Sequence, residues 1–151
     1  MKLELNQEAI SQNDKIFGTN KGNSRFLYKK FRDSFLMRLK HLGTNEENRT
    51  AWKITRHWGA KKRLFDEANL IGGFKPIIDS MQKVGIIKDD SPKYFKAYYF
   101  QQKSESGKGF ITIEKLSEAE EVETALLKIA EGYELDESVL IELGRKVGLI
   151  K

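Results

Sequence analysis

Polar and apolar residues alternate over Lys2-Leu3-Glu4-Leu5, the pattern of a short opening strand. Residues 11–24 are rich in Asn, Gly and Ser and read as a loop. The period then changes. Leu27, Phe31, Phe35, Leu39 and Leu42 recur every three or four residues, which sets one apolar stripe on a helix over 25–42, with Gly43 at its stop. Thr50 to Trp58 alternates again and is rich in β-branched and aromatic residues, so it is predicted as a strand. Pro76 suits the first turn of a second helix, where a missing N–H costs nothing. Ile77, Ile78, Met81 and Val84 give that helix its buried side, and Gly85 ends it. Tyr94–Gln102 and Gly109–Glu114 read as two strands joined by a polar loop, a hairpin. Ser117 to Glu120 fits a capping box, followed by helical spacing at Val122, Ala125, Leu126, Ile129 and Ala130. A last short helix is predicted from about Asp136, with Val139, Leu140, Leu143 and Val147 apolar.

The order is therefore β-α-β-α-β-β followed by two helices, an α+β (mixed α/β) fold with a small mixed sheet. We divide it into a domain over 1–116 and a C-terminal helical extension over 117–151. At 151 residues, with 39% hydrophobic and 11% aromatic residues, the chain can bury one real core but not two. It has no cysteine, which excludes disulfides and thiolate zinc sites. No apolar run reaches the roughly 18 residues of a membrane helix, and the N-terminus carries acids where a signal peptide would be greasy. A cytoplasmic protein with no membrane partner is expected.

Charge changes the picture further. The net +5 conceals a gradient: residues 1–65 hold 15 basic and 6 acidic side chains, 66–115 hold 8 and 7, and 116–151 hold 4 and 9. A basic first half is the footprint of a phosphate-backbone binder, although a solvated Lys-rich surface gives the same count. Arg25, Lys29, Lys30, Arg56, Lys61, Lys62 and Arg63 are the candidate DNA contacts.

The chain's most telling acids follow that basic run, in RLFDEANLIGGFKPIIDSMQKVGIIKDDSP (63–92). Phosphodiester cleavage needs an activated nucleophile and compensation of charge on the attacking and leaving oxygens. Magnesium held by carboxylates supplies both, and Lys75 is placed to steady a phosphate or a leaving oxygen. The candidate carboxylates are Asp66, Glu67, Asp79, Asp89 and Asp90. Ordinary structural roles account for the same residues: Asp66 as a helix N-cap, Asp79 paired with Lys75 or Lys83, and Asp89-Asp90-Ser91-Pro92 as a turn.

The order Asp66-Glu67-Ala68-Asn69-Leu70, Lys75-Pro76-Ile77-Ile78-Asp79, Gly85-Ile86-Ile87-Lys88-Asp89-Asp90 resembles the RusA-type Holliday-junction resolvases, small endonucleases common on prophages. The resemblance covers roughly residues 1–116, including the strand and basic turn before Asp66 and the closing Gly-Phe-Ile-Thr-Ile strand. It implies a homodimeric α/β nuclease that nicks four-way DNA junctions symmetrically with Mg²⁺ or Mn²⁺, a task suited to two sites related by a two-fold axis. Asp66 and Asp90 match its metal-binding catalytic aspartates, Lys75 a catalytic lysine, and Asn69, Asp79 and Asp89 supporting positions.

The chain departs from the family pattern twice. Ala68 stands where the family has a second catalytic aspartate, and a methyl group cannot ligate a metal. Either Glu67 substitutes from the next position, or the protein binds junctions without cutting, or the substitution inactivates it. In addition, five residues separate Asn69 from Lys75, more than in the shortest members. Trp52, Trp58, Tyr94, Tyr98 and Tyr99 are expected as core or cross-strand partners, with base stacking as the alternative. His41 and His57 are isolated and read as surface or phosphate-contacting residues. The acidic tail is expected to pack on the sheet or on a dimer partner.

Overall fold

A computed structural model of the chain describes residues 1–6, 21–133, 137–146 and 148–149. Its elements are β1 (Lys2–Leu5), α1 (Lys21–Leu39), β2 (Thr50–Trp58), α2 (Glu67–Lys83), β3 (Phe95–Lys103), β4 (Phe110–Leu116), α3 (Glu118–Tyr133) and α4 (Glu137–Lys146). The fold is α+β around one four-stranded mixed sheet in the order β1-β4-β2-β3. Of the expected loop over 11–24, residues 11–20 lie outside the described residues and 21–24 belong to α1.

β2 and β3 run parallel, joined by α2, because parallel neighbours need a crossover and a helix is its usual form. β4 pairs antiparallel with β2 on its other side, and β1 antiparallel with β4. Strand parity sorts the side chains. Trp52 and Ile54, Phe95, Ile111 and Ile113, and Leu5 turn to one face and meet Phe35 and Leu39 of α1 and Leu70, Phe74, Ile77 and Met81 of α2. All are buried.

Two expectations are corrected. β3 and β4 are not a hairpin, since β2 lies between them: Trp58 faces Lys103 on one side and His57 faces Phe110 on the other. The loop 104–109 instead arches over the end of β2, held by Ser104 N–H to the Trp58 carbonyl (3.0 Å) and Ala60 N–H to the Gly107 carbonyl (3.0 Å). Period-two patterning reports which face a residue occupies and carries no information on which strand is its neighbour. Gly59 permits the crossing, because a Cβ there would lie 2.9 Å from the Gly107 oxygen.

Pro76 is not in a first turn. α2 begins at Glu67 and runs through Gly72-Gly73, with Pro76 in its interior. The residues Leu70, Phe74, Ile77, Ile78 and Met81 keep one buried stripe across the glycines and the proline, and tertiary packing outweighs local propensity. α2 ends as expected, with Gly85 following at φ 77°.

The tail packs on the sheet. The predicted capping box forms, with Glu120 accepting the Ser117 N–H (2.8 Å) and Ser117 Oγ accepting the Glu120 N–H (3.4 Å). Arg49, just before β2, grips Glu121 through both guanidinium nitrogens at 3.0 and 2.6 Å, and Tyr98 donates to the same carboxylate at 3.2 Å. Thr124 and Ala130 are buried, while Ile129 is exposed. In α4, Val139 is exposed; Val147 lies outside the described residues, as do the side chains of Leu140 and Leu143. No described helix is long and apolar enough to cross a membrane.

Candidate functional site

α2 and the edge strand β3 enclose an open cleft of ≈ 640 Å³, lined among others by Ala68, Gly72, Lys75, Asp90, Lys96 and Tyr99. Ala68, Gly72 and Lys75 fall four and three residues apart, which stacks them on one helix face along the cleft wall. The parallel β2-α2-β3 unit brings the Asp89-Asp90 turn back to that wall.

Lys75 is the centre of the charge arrangement. Its ammonium lies 2.9 Å from Asp79 and is also paired with Asp90. Asp79 in turn accepts the Tyr28 hydroxyl. Asp89 shapes the turn, accepting the Asp90 N–H at 2.8 Å and the Gln82 amide at 3.4 Å. The hydrogen bond from Lys75 is the main cause that holds the Asp90 carboxyl below the usual carboxylate range. Tyr99 stacks on Phe74 with ring centroids 5.6 Å apart. Burial, reinforced by the charge of Asp90, pushes its phenol up to about 12.

Asp66 and Glu67 are placed differently. Asp66 is the N-cap of α2: one carboxylate oxygen accepts the Asn69 N–H at 2.8 Å and the other accepts the Asn69 side-chain amide at 2.6 Å. Those bonds, led by the backbone N–H, hold its carboxyl below the usual range. Glu67 lines a separate cleft with Leu64, Gln101 and Lys128. Among the described residues no group of three or more His, Cys, Asp or Glu side chains is placed to hold a metal ion. The donor set as arranged does not fit magnesium, since Asp90 is on Lys75, Asp66 is on Asn69, and Glu67 borders other residues.

The expected basic surface divides. Lys29 and Lys30 on α1, and Lys61, Lys62 and Arg63 after β2, are exposed, whereas the Arg25 side chain lies outside the described residues. Arg56 is fully buried and cannot lie on a DNA face. Its guanidinium sits 3.5 Å from the Phe65 ring centroid and donates to the Arg63 carbonyl (3.0 Å) and to Gln101 (3.4 Å). Gln101 completes the arrangement, accepting the Phe65 N–H at 2.9 Å and donating to its carbonyl at 2.6 Å. Arg56 and Gln101 thus pin the segment that carries Lys61, Lys62 and Arg63. Alternation on β2 put Arg56 among the polar positions; its parity with Trp52 and Ile54 was the signal that it faces inward.

His41 is exposed, but His57 is buried, stacked on Phe110 and hydrogen-bonded to Thr112 (3.2 Å) and Gln102 (3.1 Å). Burial lowers its pKa, and its ring borders an open cleft with Gln102, Lys103 and Phe110. Trp52 is core, with its indole N–H on Thr50 at 2.8 Å. Sequence reasoning missed Lys96 as a cleft residue and Tyr99 as the aromatic beside Asp90, because neither belongs to the acidic stretch. No protein-family model matches the chain, and comparison with curated proteins gives no match.

Proposed function

We propose that this chain is a structure-selective DNA-binding protein of the RusA resolvase type, whose metal-dependent cutting of four-way junctions is impaired by Ala68. The observation that supports the reading is the meeting of Ala68, Lys75 and Asp90 in one cleft beside the edge strand. These three positions are the second aspartate, the lysine and the closing aspartate of the resemblance. A lysine in that cleft is placed to steady a scissile phosphate. Here Lys75 is shared by Asp79 and Asp90, so a phosphate reaching it competes with two carboxylates. The exposed Lys29, Lys30, Lys61, Lys62 and Arg63 supply backbone attraction outside the cleft. A homodimer presents two such clefts to the two strands of a junction.

An acid at 68 stands on the helix face of Lys75, two turns away, and adds the carboxylate that the cleft lacks. The test uses a synthetic four-way junction and a linear duplex of matched sequence, each with Mg²⁺ or Mn²⁺, and the chain and its Ala68→Asp variant. Both proteins are expected to prefer the junction. The variant is expected to cut it at least about 100-fold faster, equivalent to ~2.7 kcal/mol of barrier. Equal, weak binding to both DNAs with no cutting by either protein refutes the proposal. Selective binding without cutting by either protein leaves a junction-binding module and removes the nuclease part.

A further inference from the structure

We propose that the β3–β4 loop and the turn after β2 form a single contact surface for the DNA sugar–phosphate backbone, with Lys103 and Lys108 joining Lys61, Lys62 and Arg63. This rests on the DNA-binding reading above and extends it to a part of the chain that the acidic stretch does not reach. The two segments are 40 residues apart in sequence but touch in the fold. The Ala60 N–H donates to the Gly107 carbonyl at 3.0 Å, and the loop begins with the Ser104 N–H on the Trp58 carbonyl. In register, Lys103 stands beside Trp58 at the end of the parallel pair. All five basic residues are exposed.

Their charges are uncompensated, as are those of other exposed lysines such as Lys29, Lys30, Lys40 and Lys83, and what sets the five apart is that they stand on two touching segments. Lys2, Lys75, Lys88, Lys115, Lys128 and Lys146 each meet a carboxylate. None of the five does so among the described residues. The carboxylates near these segments are Glu105 in the loop, Glu4 of β1, which borders a cleft with Lys103 and Glu105, and Asp66 and Glu67 after the turn, of which Asp66 is engaged by Asn69. Cations left unpaired on a supported scaffold keep their charge for a polyanion, and each phosphate they neutralise releases a counterion.

The scaffold is held on both sides. Arg56 and Gln101 fasten the segment after the turn, and Ser104 and Ser106 pair their hydroxyls at 3.0 Å within the loop. Gly59 lets the two meet, since a Cβ at that position would press on the Gly107 oxygen at 2.9 Å and the Gly109 nitrogen at 3.2 Å. The polyanion favoured is DNA because the turn leads in sequence into α2, whose Ala68, Gly72 and Lys75 line the cleft on which the proposed function rests.

The experiment measures binding of a labelled four-way junction and a matched duplex by fluorescence anisotropy across a KCl series. The Lys103→Glu/Lys108→Glu double variant is compared with wild type and with Lys40→Glu/Lys83→Glu, two exposed cations at the far ends of α1 and α2. Loss of two phosphate contacts lowers the slope of log K against log salt by about 1.8. The loop variant is expected to show that drop and to bind at least tenfold more weakly at low salt; the control is expected to match wild type within threefold. Gly59→Ala, which alters no charge, is expected to weaken binding as well by parting the loop from the turn. Wild-type slope and affinity in the loop variant, or equal losses in the control, overturn the proposal while leaving the junction reading standing. Equal loss on duplex and junction from a wild type that prefers neither supports the surface and refutes the junction reading. Binding to anionic vesicles with none to either DNA overturns both.

Discussion

Replacing Arg56 separates a buried positioning group from a phosphate contact by magnitude as well as direction. The guanidinium is 0% exposed, flat against Phe65, and bonded to the Arg63 carbonyl. Arg56→Ala removes hydrogen bonds from a charged donor to the Arg63 carbonyl and Gln101, together worth about 2 kcal/mol net, and a desolvated cation–π contact worth about 2 kcal/mol. It also empties the volume of the aliphatic stem, at about 2 kcal/mol. Relief of the cost of burying a cation offsets part of this. A net loss of about 3 kcal/mol follows, or a fall in Tm of roughly 6–12 °C for a chain of this length. Arg56→Met keeps most of the stem and is expected to lose less than half as much. The assay is urea unfolding with linear extrapolation, read beside the salt slope of junction binding. If Arg56 instead touched phosphate, the alanine variant would unfold within about 0.5 kcal/mol of wild type and its salt slope would fall by about 0.9. That pair of results refutes the assignment.

Gly43→Ala is expected to destabilise the chain by about 3 kcal/mol without changing the urea m-value, because the added Cβ would stand 1.7 Å from the Val84 carbonyl oxygen where α1 and α2 end together. An unchanged unfolding midpoint would show that the two helix ends are not in contact. Glu121 carries a pH-dependent contribution. The hydrogen bond from Arg49 lowers its pKa from 4.5, so its stabilisation is full above the unfolded value and lost as pH falls through the folded one. Because Arg49 is 46% exposed, Glu121→Gln is expected to cost less than about 1 kcal/mol at pH 7, and the gap to wild type should narrow as pH falls below 4.5 and close once it passes the lowered folded value. A Tm difference that stays constant from pH 7 to pH 3 contradicts the pairing.

The fold was legible wherever a residue's neighbour along the chain decided the matter. Thr50–Trp58 forms a strand over the predicted residues, and the capping box at Ser117 forms the predicted bonds. Contacts between distant segments were not legible. A polar loop of suitable length predicts a hairpin, yet β2 inserts between β3 and β4, its two edges receiving Phe95–Lys103 and Phe110–Leu116 in opposite directions. Local propensity starts α2 too late, because two glycines and a proline are poor helix formers in isolation. In the folded chain, the stripe from Leu70 to Met81 buries enough apolar surface against α1 and the sheet to carry all three.

The site shows why a spacing motif and an ordinary structural reading need not exclude each other. Asp66 does cap α2, and Lys75 does pair with Asp79 at one turn, as the structural alternatives required. Lys75 also reaches Asp90, which lies fifteen residues on and is brought there by the turn that follows α2. Only the fold could reveal that contact. The same helix geometry sends Glu67 to another cleft, because consecutive residues on a helix point about 100° apart. A carboxylate at 67 therefore cannot stand in for one at 68, and the possibility that Glu67 compensates for Ala68 loses its geometric basis. With Ala68, Gly72 and Lys75 aligned on one face, the cleft has room for an acid at the first of these positions and has a methyl group instead. Under the proposed function, cutting would depend on that one helical position and attraction to DNA on cations elsewhere. The two properties are therefore expected to separate under mutation.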